Sequence, residues 1–435
     1  MRDLLELGLA GTTRVGSVLL PAVRGERVRI LILGLNYRPE STSIGPYTAD
    51  LAEYLNVQGH HVQVITGFPM APQWRIWDGY RGRLTQREVI NGVPVRRVYL
   101  YVPREPRRTL KRILFDLSFS VSALLGGLAS GPCDVVVAIS PPLQIGLSGW
   151  LISRLKRAPL LFHIQDLVPD AAVATGMLTE SSIGFKIACW LESFIYRRAK
   201  AIGVICAGFG RNLISKGVPT AKVKLLPNYI DLDFMRSIDI TDDFRSQHQI
   251  GRDEFLVMYS GSIALKQGLE VLIDAAALLM GEPHIKLMII GEGSSLIDLQ
   301  ARVQQLGLVN IKFLPLQPRE MLPQQLRAAD VLVITQKRAV TDIVFPGKLL
   351  YYIAAGRPII AAVSANSETG RFIVEQQVGV VTRPEDPADL AAAILRLSRE
   401  DIQAMGARGR KVVEAKFDRR IVLPEFAACL VEITK

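Results

Sequence analysis

One loop and the helix start that follows it carry residues suited to binding an anion. The stretch 342–356 leads through Pro346, Gly347 and Lys348 into an apolar run that stops at Gly356. Proline suits the first position of a helix and glycine suits its end, so the pattern predicts a helix over 346–356. Free backbone amides, the absent side chain of Gly347 and the Lys348 ammonium group together favour a bound diphosphate. A capped helix with a surface lysine is the alternative.

A second loop in the same half of the chain has a similar composition. The stretch Tyr259–Gly268 links a predicted strand to a predicted helix start. Gly261 permits close approach of a ligand to the backbone, and Lys266 adds a positive charge. Ser260 and Ser262 add hydroxyl groups. The pattern therefore predicts a second phosphate cradle facing the first, with an ordinary strand-to-helix loop as the alternative.

Two polar residues near the end of a predicted strand are candidates for contact with a ligand. His163 ends the run Leu160–His163, and Asp166 follows it closely in the chain. In a parallel sheet, ligands bind where loops leave the carboxyl ends of the strands. We therefore expect His163 at the wall of a ligand-binding cleft, with Asp166 close to it. A hydrogen-bonded structural histidine is the alternative.

The composition restricts the class of protein. The chain has 435 residues, too many for one core, and its 49% hydrophobic and 21% charged residues are typical of a globular protein. The net charge of +11 suits phosphate-bearing ligands, anionic lipid or nucleic acid. Few aromatic residues accompany the basic residues that cluster between Arg96 and Arg112, which argues against nucleic acid. The four cysteines are far apart and lack metal-ligand spacing, which favours reduced thiols and a cytoplasmic location.

Alternating strands and helices predict an α/β fold with two facing, doubly wound, Rossmann-like parallel-sheet domains. The strand Arg29–Gly34 is followed by a loop, a helix from Pro46 and a strand at 61–66, the order of a right-handed crossover unit. The second half of the chain repeats this order. The three-glycine fingerprint of dinucleotide binding is absent, which argues against a nicotinamide cofactor. The predicted division is an extension at 1–26, domains at 27–230 and 231–415, and a final helix at 416–435 returning to the first domain.

A basic cluster precedes a long apolar helix. The predicted helix at 113–128 carries Asp116 as its one charged residue. A basic collar beside an apolar helix suits an anionic membrane surface, so we predict peripheral association with the inner face of the plasma membrane. A core helix with a solvated basic start is the alternative. No apolar run predicts a transmembrane helix. The residues predicted to face the membrane are Arg104, Arg107, Arg108, Lys111 and Arg112.

These residues resemble the retaining glycosyltransferases of family 4, which have the GT-B architecture of two facing α/β domains. The resemblance extends over about residues 28–420 and is carried by the order and spacing of Ile44–Tyr47, His163–Leu178, Leu226–Asn228, Ser260–Gly268 and Phe345–Pro358. Bacterial surface-polysaccharide transferases of the colanic-acid fucosyltransferase type are the most similar subgroup. The segments that resemble it are Gly34–Glu40, His163–Asp166, Lys266–Glu270 and Gln336–Arg338.

The resemblance implies a nucleotide-diphosphate-sugar donor held mainly by the C-terminal domain. Gly45 is then expected to approach the diphosphate from the N-terminal side, with Lys348 on the other side. The residues predicted to bind the donor are Gly45, Asn228, Ser260, Gly261, Ser262, Lys266, Gln267, Gly291, Gln317, Asp342, Pro346 and Gly347. The catalytic candidates are His163, Asp166 and Lys348. With a sugar donor, His163 is expected to face the donor sugar, and Asp166 to hold the acceptor or act on its proton.

The sequence departs from the family pattern at charged positions. Ser262 and Gln267 stand where the family has an arginine and a lysine that bind the diphosphate, and the family's paired glutamates are absent. Lys266 and Lys348 are the expected sources of the missing charge. The identity of the donor sugar depends on these contacts.

The sequence therefore predicts transfer of a sugar, with GDP-fucose or a related GDP-sugar as the favoured donor, to a lipid-linked or growing polysaccharide acceptor. A nucleoside diphosphate is a good leaving group, so the protein has to stabilise the departing phosphate rather than supply two carboxylic acids. The resemblance implies retention of configuration, no cofactor and no metal ion. The alternatives are a UDP-sugar-dependent transferase of the same fold and a nucleotide-sugar epimerase, whose soluble substrate needs neither the basic cluster nor the apolar helix.

Overall fold

The computed structural model describes residues 27–40, 44–71, 73–104, 108–174, 178–236, 243–338 and 347–435. The strands of the N-terminal half are β1 (Arg29–Gly34), β2 (His61–Gly67), β3 (Thr85–Ile90), β4 (Val93–Val98), β5 (Val135–Ser140), β6 (Leu160–Ile164), β7 (Ala201–Val204) and β8 (Val223–Leu225). Those of the C-terminal half are β9 (Phe255–Ser260), β10 (Ile285–Ile290), β11 (Ile311–Leu314), β12 (Val331–Thr335), β13 (Ile359–Ala362) and β14 (Gly379–Thr382).

Helices alternate with these strands along the chain. Those up to the domain junction are α1 (Gly45–Val57), α2 (Thr109–Leu128), α3 (Ile145–Lys156), α4 (Val168–Ala174), α5 (Ile183–Arg198) and α6 (Ala207–Ser215). Those beyond it are α7 (Leu232–Arg236), α8 (Asp243–Gln247), α9 (Glu270–Leu278), α10 (Leu296–Gln305), α11 (Leu322–Ala328), α12 (Gly347–Ala354), α13 (Glu368–Gln376), α14 (Pro387–Leu397), α15 (Gln403–Lys416) and α16 (Arg419–Thr434).

The N-terminal half is built on one twisted sheet. Over the described residues its strands lie in the order β3-β4-β2-β1-β5-β6-β7-β8, parallel except for β3 against β4. That antiparallel pair turns at Asn91 and Gly92, which both have positive φ, as a two-residue Asn-Gly hairpin turn requires. One face of the sheet packs on α1 and α16, and the other on the layer of α2, α3 and α5. Burial on both faces explains why β1, β5 and β6 read as continuous apolar runs.

The C-terminal half is built on a parallel sheet with strand order β11-β10-β9-β12-β13-β14 in the described chain. The predicted fold class is confirmed. Strand order reverses beside β1 in one sheet and beside β9 in the other, and ligands bind at the carboxyl ends of strands at such switch points. Because β9 and β12 are neighbours, the loop after β9 and the start of α12 meet at one edge. Of the helices described, none has the length and hydropathy needed to cross a membrane.

Candidate active site

Lys348 lies against the loop that leaves β9, at the switch point of the C-terminal sheet. Its Nζ atom is 2.5 Å from the hydroxyl oxygen of Tyr259 and 3.9 Å from the centre of that ring. A Cβ atom built on Gly261 would stand 3.0 Å from the same Nζ atom, and the φ of Gly261 is +146°. A side chain at position 261 would therefore strain the backbone and displace the ammonium group, which explains the glycine.

The ammonium group of Lys348 is unusually easy to deprotonate. Burial, with a smaller contribution from the positive charge of Lys266, lowers the pKa of Lys348 to about 7. Within the described part of the chain, no carboxylate forms an ion pair with Lys348. A half-buried cation without a negative partner gains from binding an anion, and the bound anion would raise its pKa again.

The glycine at the end of β10 is required by the packing of two loops. The φ of Gly291 is +150°, and a Cβ atom built on it would stand 1.9 Å from the carbonyl oxygen of Gly261. Gly293 repeats the arrangement, with a φ of +156° and a distance of 2.2 Å to the carbonyl oxygen of Ile263. The absence of a side chain at Gly291 thus lets the loop after β10 pack directly on the Gly261 loop, against which Lys348 lies.

Asp166 lies on the N-terminal side of the cleft, just after β6. Burial raises the pKa of Asp166 to about 6, although the positive charges of Lys266 and Arg112 act in the opposite direction. Lys266 belongs to the C-terminal domain and also influences Lys348. Lys266 is therefore within electrostatic reach of both Lys348 and Asp166, which belong to different domains.

The start of α1 brings N-terminal residues against the start of α12. Gly45 is buried, and a Cβ atom built on it would stand 3.2 Å from the carbonyl oxygen of Glu40. Tyr47 reaches further, since a Cβ atom built on Gly347 would lie 3.9 Å from its hydroxyl oxygen. Burial, with a contribution from Tyr351, raises the pKa of Tyr47 well above its usual value. Gly45 and Gly347 therefore lie near the same junction between domains.

The predicted position of His163 at the cleft wall is wrong. Its side chain is buried, and Nε2 donates a hydrogen bond to the carbonyl oxygen of Leu226 over 3.2 Å. The ring meets the edge of Phe426 from α16, with ring centres 5.2 Å apart. Burial lowers the pKa of His163 to about 4, so the imidazole is neutral at pH 7. Successive strand residues point to opposite faces, and His163 points to the face that α16 covers. The structural alternative therefore describes His163.

Asn228 is held by the N-terminal domain at the base of the cleft. Its Nδ2 atom donates to Oε1 of Gln165 over 2.8 Å, and both side chains line a small cavity of about 20 Å³ beside His163. A cavity of that size holds at most one water molecule. The Asn228 amide therefore fixes the loop after β8 against the loop after β6, next to Asp166.

The remaining predicted donor contacts have different settings. The hydroxyl oxygen of Ser260 accepts a hydrogen bond from Nε2 of Gln325 over 2.6 Å inside the domain, so this group is structural. Ser262 is exposed, and its carbonyl oxygen accepts from the hydroxyl of Tyr259 over 2.7 Å. The Gln317 side chain donates to a carbonyl of its own loop over 2.8 Å. The half-buried Gln267 ends the same loop as the exposed Lys266, and Asp342 and Pro346 lie outside the described residues.

Family models and a curated relative match nearly the whole chain. The model described as "Glycosyl transferase 4-like domain" matches residues 42–229, and "Glycosyl transferases group 1" matches residues 240–412. A protein of Escherichia coli K12 named "Putative colanic acid biosynthesis glycosyl transferase WcaI" is 33% identical, covering 92% of this chain and 98% of its own. The chain belongs to this glycosyltransferase family.

Solved structures give the architecture of this glycosyltransferase. Sucrose-phosphate synthase from Thermosynechococcus elongatus is similar with a TM-score of 0.72 at 20% identity, covering 94% of this chain and 99% of its own. The Anabaena protein HepE in complex with UDP has a TM-score of 0.70 at 16% identity, covering 93% of this chain and 100% of its own. At these identities the likeness establishes the GT-B fold alone.

The basic cluster of the glycosyltransferase divides into outward and inward cations. Arg104 and Arg108 are exposed and Lys111 is half-buried around the start of α2, while Arg107 lies outside the described residues. Arg112 turns inward: its guanidinium group lies 5.0 Å from the ring centre of Trp74 and 3.5 Å from the Asp116 carboxylate. Arg112 thus packs on its own domain and influences Asp166, and its membrane-facing role stays a prediction.

The helix that follows the basic cluster exposes a line of apolar side chains. Five of them recur at intervals of three or four residues along α2, and we call them the α2 stripe. Their exposed fractions are 78% for Leu110, 56% for Leu114, 43% for Leu117, 55% for Val121 and 62% for Leu125. The opposite side of α2 packs into the core through Phe115 and Phe119. The α2 stripe is thus an outward apolar face rather than part of the core.

Sequence reasoning missed the aromatic residues that shape the site. Tyr259 was treated as a strand residue, although it shields and orients Lys348 through its ring and its hydroxyl group. Tyr47 was named only as the end of the segment Ile44–Tyr47, although its hydroxyl group lies near Gly347 at the start of α12. The available signal was position: each tyrosine lies within two residues of a glycine already predicted to approach the donor.

Proposed function

We propose that this glycosyltransferase moves a sugar from a nucleotide-diphosphate donor, with GDP-fucose or a related GDP-sugar favoured, to a lipid-linked or growing polysaccharide acceptor. The observation that carries the proposal is the position of Lys348 against the Gly261 loop, with Lys266 of the same domain close enough to influence both Lys348 and Asp166 of the other domain. The relative named for colanic acid biosynthesis supports polysaccharide synthesis as the process.

The two lysines suit the chemistry of the leaving group. The bond between the anomeric carbon and the donor phosphate oxygen breaks, and its electron pair goes to the departing diphosphate. A buried ammonium group that faces this developing charge stabilises it far more strongly than it would in water. Lys348, with its lowered pKa, becomes fully protonated once the diphosphate is bound.

For retention of configuration we propose that the acceptor hydroxyl attacks from the side of the leaving group, as the family resemblance implies. The new carbon–oxygen bond then forms on the face where the old one breaks, and the hydroxyl proton passes to the departing phosphate oxygen. Asp166 lies on the opposite wall of the cleft and is largely ionised at pH 7, because its pKa is about 6. Its carboxylate would accept a hydrogen bond from the acceptor hydroxyl and orient it.

A UDP-sugar is the second candidate donor. The observation that favours it is the structure of HepE, which has the same fold and contains UDP. A nucleotide-sugar epimerase is a less consistent function, because the family models and the relative that match this chain are glycosyltransferases.

The donor is tested by thermal shift with GDP and UDP, followed by assays of nucleotide release from GDP-fucose, GDP-mannose and UDP-glucose. A nucleotide at 100 times its dissociation constant stabilises the folded protein by about 2.7 kcal/mol. We expect stabilisation by GDP and turnover of a GDP-sugar. Stabilisation by UDP and not by GDP would mean that the donor is a UDP-sugar instead of a GDP-sugar. A product whose anomeric configuration is inverted, as determined by NMR, would refute retention.

We further propose that the acceptor is reached at an anionic membrane surface through α2. Arg104, Arg108 and Lys111 cluster where the α2 stripe begins, and cations beside an exposed apolar helix face are what such binding requires.

This proposal is tested with the variant Arg104→Gln/Arg108→Gln/Lys111→Gln in sedimentation assays with phosphatidylglycerol vesicles. Each cation near such a surface contributes about 1 kcal/mol, so binding should weaken on the order of 100-fold. The control replaces three cations of the C-terminal domain, Arg396, Lys411 and Lys416, by Gln. Equal vesicle binding by the wild type, the variant and the control would mean that the basic cluster is an ordinary solvated surface.

A further inference from the structure

The helical layer beside the N-terminal sheet exposes apolar side chains beyond the α2 stripe. In this layer α3 packs between α2 and α5. Three side chains of α5 are exposed at spacings of four and three residues: Ile183 by 75%, Ile187 by 59% and Trp190 by 63%. Leu155 of α3 is exposed by 69%. An apolar face spread over three neighbouring helices marks an interaction surface.

The same three helices present almost no negative charge to solvent. Asp116 and Glu192 are their acidic residues. Glu192 is buried and lies 2.9 Å from Nζ of Lys216, while the partly buried Asp116 pairs with Arg112. An anionic partner would therefore meet little repulsion along the outer face of this layer.

At the edge of the domain opposite the cleft, an open pocket of about 690 Å³ lies between the ends of α3 and α5. Five exposed cations line it, and none of them pairs with a carboxylate of the described chain. We call them the pocket cations, and they are Arg154, Arg157, Arg197, Arg198 and Lys200.

Cations at helix ends often serve backbone carbonyls instead of a ligand. Lys222 has that role here, since its Nζ atom donates to the carbonyl oxygens of Arg197 and Ala199 over 2.8 and 3.0 Å. Lys156 likewise donates to the carbonyl oxygen of Ser130 over 2.9 Å. Because these two lysines occupy carbonyls at the helix ends, the pocket cations are not required for that purpose.

An aromatic cluster connects the pocket to the exposed side chains of α5. The Phe194 ring centre lies 4.9 Å from that of Trp150 and 5.7 Å from that of Trp190. The guanidinium group of Arg198 lies 5.3 Å from the Phe194 ring centre and 5.7 Å from that of Trp150. Tryptophan and arginine side chains, with an apolar body and a polar end, favour the headgroup level of a bilayer.

We propose that this pocket binds the phosphate of an anionic phospholipid headgroup while Trp190 and its apolar neighbours on α5 enter the interfacial layer. The inference rests on the proposed membrane function and adds a second attachment site at the far end of the helical layer. With both ends attached, the outer face of α2, α3 and α5 lies flat on the bilayer. The start of α2 and the cleft edge are then held at the headgroups, where a lipid-linked acceptor presents its reacting hydroxyl.

The test compares Arg157→Gln/Arg197→Gln/Lys200→Gln with the C-terminal control triple, which removes the same charge. Binding is measured by sedimentation with phosphatidylcholine vesicles that contain or lack phosphatidylglycerol. We expect the pocket variant to lose on the order of 100-fold in affinity for the anionic vesicles, and the control to lose much less. All substituted side chains are exposed, and an unchanged melting temperature verifies folding. Equal losses in both variants would overturn the inference, because net charge alone would then explain binding.

Two further comparisons distinguish a lipid phosphate from a soluble phosphate, and failure of the pocket proposal from failure of the membrane proposal. Calorimetric binding of inorganic phosphate by the native chain, abolished in the pocket variant, would overturn the headgroup assignment in favour of a soluble anion. If the pocket variant binds vesicles normally while the α2 variant does not, this inference alone fails. If both bind normally, the membrane proposal itself fails, whereas sugar transfer to a short soluble acceptor still tests the enzyme.

Discussion

Lys348 is expected to gain a proton when a nucleoside diphosphate binds. Its pKa of about 7 in the free protein reflects burial, and the bound anion would raise it. A terminal phosphate loses its last proton with a pKa of about 6, so the ligand is already fully ionised above pH 7. Nucleotide affinity should therefore fall as the pH rises above 7, by at most tenfold per pH unit. Calorimetry in buffers of different ionisation enthalpy would detect the proton uptake.

The matched variant for this effect is Lys348→Met, which keeps the side-chain length and removes the charge. We expect it to lose the pH dependence above pH 7 and to reduce turnover roughly 10²- to 10³-fold, as for other preorganised charge contacts. Wild-type turnover with an unchanged pH profile would remove Lys348 from the site.

His163 is expected to affect stability rather than turnover. Its pKa falls from 6.5 to about 4 on folding, so the unfolded chain binds more protons between those values. The fold is therefore stable with respect to this group above pH 6.5 and loses about 3 kcal/mol as the pH falls towards 4. The variant His163→Gln can retain a donor to Leu226 without titrating. Urea unfolding at several pH values should show a wild-type stability that falls relative to the variant on acidification; parallel curves would contradict this.

The individual site residues were predictable to different degrees. The two loops that carry Gly261 and Lys348 were predicted to face each other, and the structure brings these residues together, whereas their contact with a donor stays a prediction. The role of His163 could not be predicted, because its strand-end position does not reveal which face of the sheet it points to, and α16 comes from the far end of the chain. The inward turn of Arg112 depends on Trp74, which is likewise distant in sequence.

At the scale of elements, the packing of the loops after β9 and β10 gives a direct prediction for Gly291→Ala. Its Cβ atom would overlap the Gly261 carbonyl oxygen at 1.9 Å, at a φ of +150°. We expect a loss of about 1–3 kcal/mol in stability and a weaker grip on nucleotide, because the Gly261 loop shifts under Lys348. Gly281→Ala is the control, since no atom lies within 4 Å of its added Cβ atom. Equal melting temperatures and nucleotide affinities for both variants would contradict the proposed support.

Element boundaries followed closely from the sequence where the apolar pattern was continuous. The predicted strand Arg29–Gly34 agrees with β1, and the predicted strand at 61–66 agrees with β2 within one residue. The start of α2 was placed too late, at 113 instead of Thr109, because polar residues of the first turn carry no apolar signal. What the pattern could not reveal is that the exposed sides of α2 and α5 belong to one layer, because that depends on strand order.

At the scale of the whole molecule, the chain crosses between the domains at two adjacent places. The backbone N–H of Ile230 donates to the carbonyl oxygen of Phe417 over 2.8 Å, and that of Arg419 donates to the carbonyl oxygen of Ile230 over 3.0 Å. The Arg419 guanidinium group lies 2.8 Å from the Asp231 carboxylate. Two paired crossings restrict the domains to rotation about a common line, which is the motion that would open and close a cleft.

This arrangement makes the final helix part of the N-terminal core. In α16, Leu430 is fully buried beside α1, although it follows the whole C-terminal domain in sequence. We expect Leu430→Ala to destabilise the N-terminal domain by about 2–5 kcal/mol through the cavity it leaves, with little effect on the C-terminal domain. The exposed Glu432→Gln, which breaks only the contact with Lys224, is the matched control on the same helix. Hydrogen exchange would locate the effect: faster exchange in β1 and β5 with unchanged protection of β9 and β10 is expected. Uniform loss of protection in both sheets would mean that the two domains unfold as a single unit.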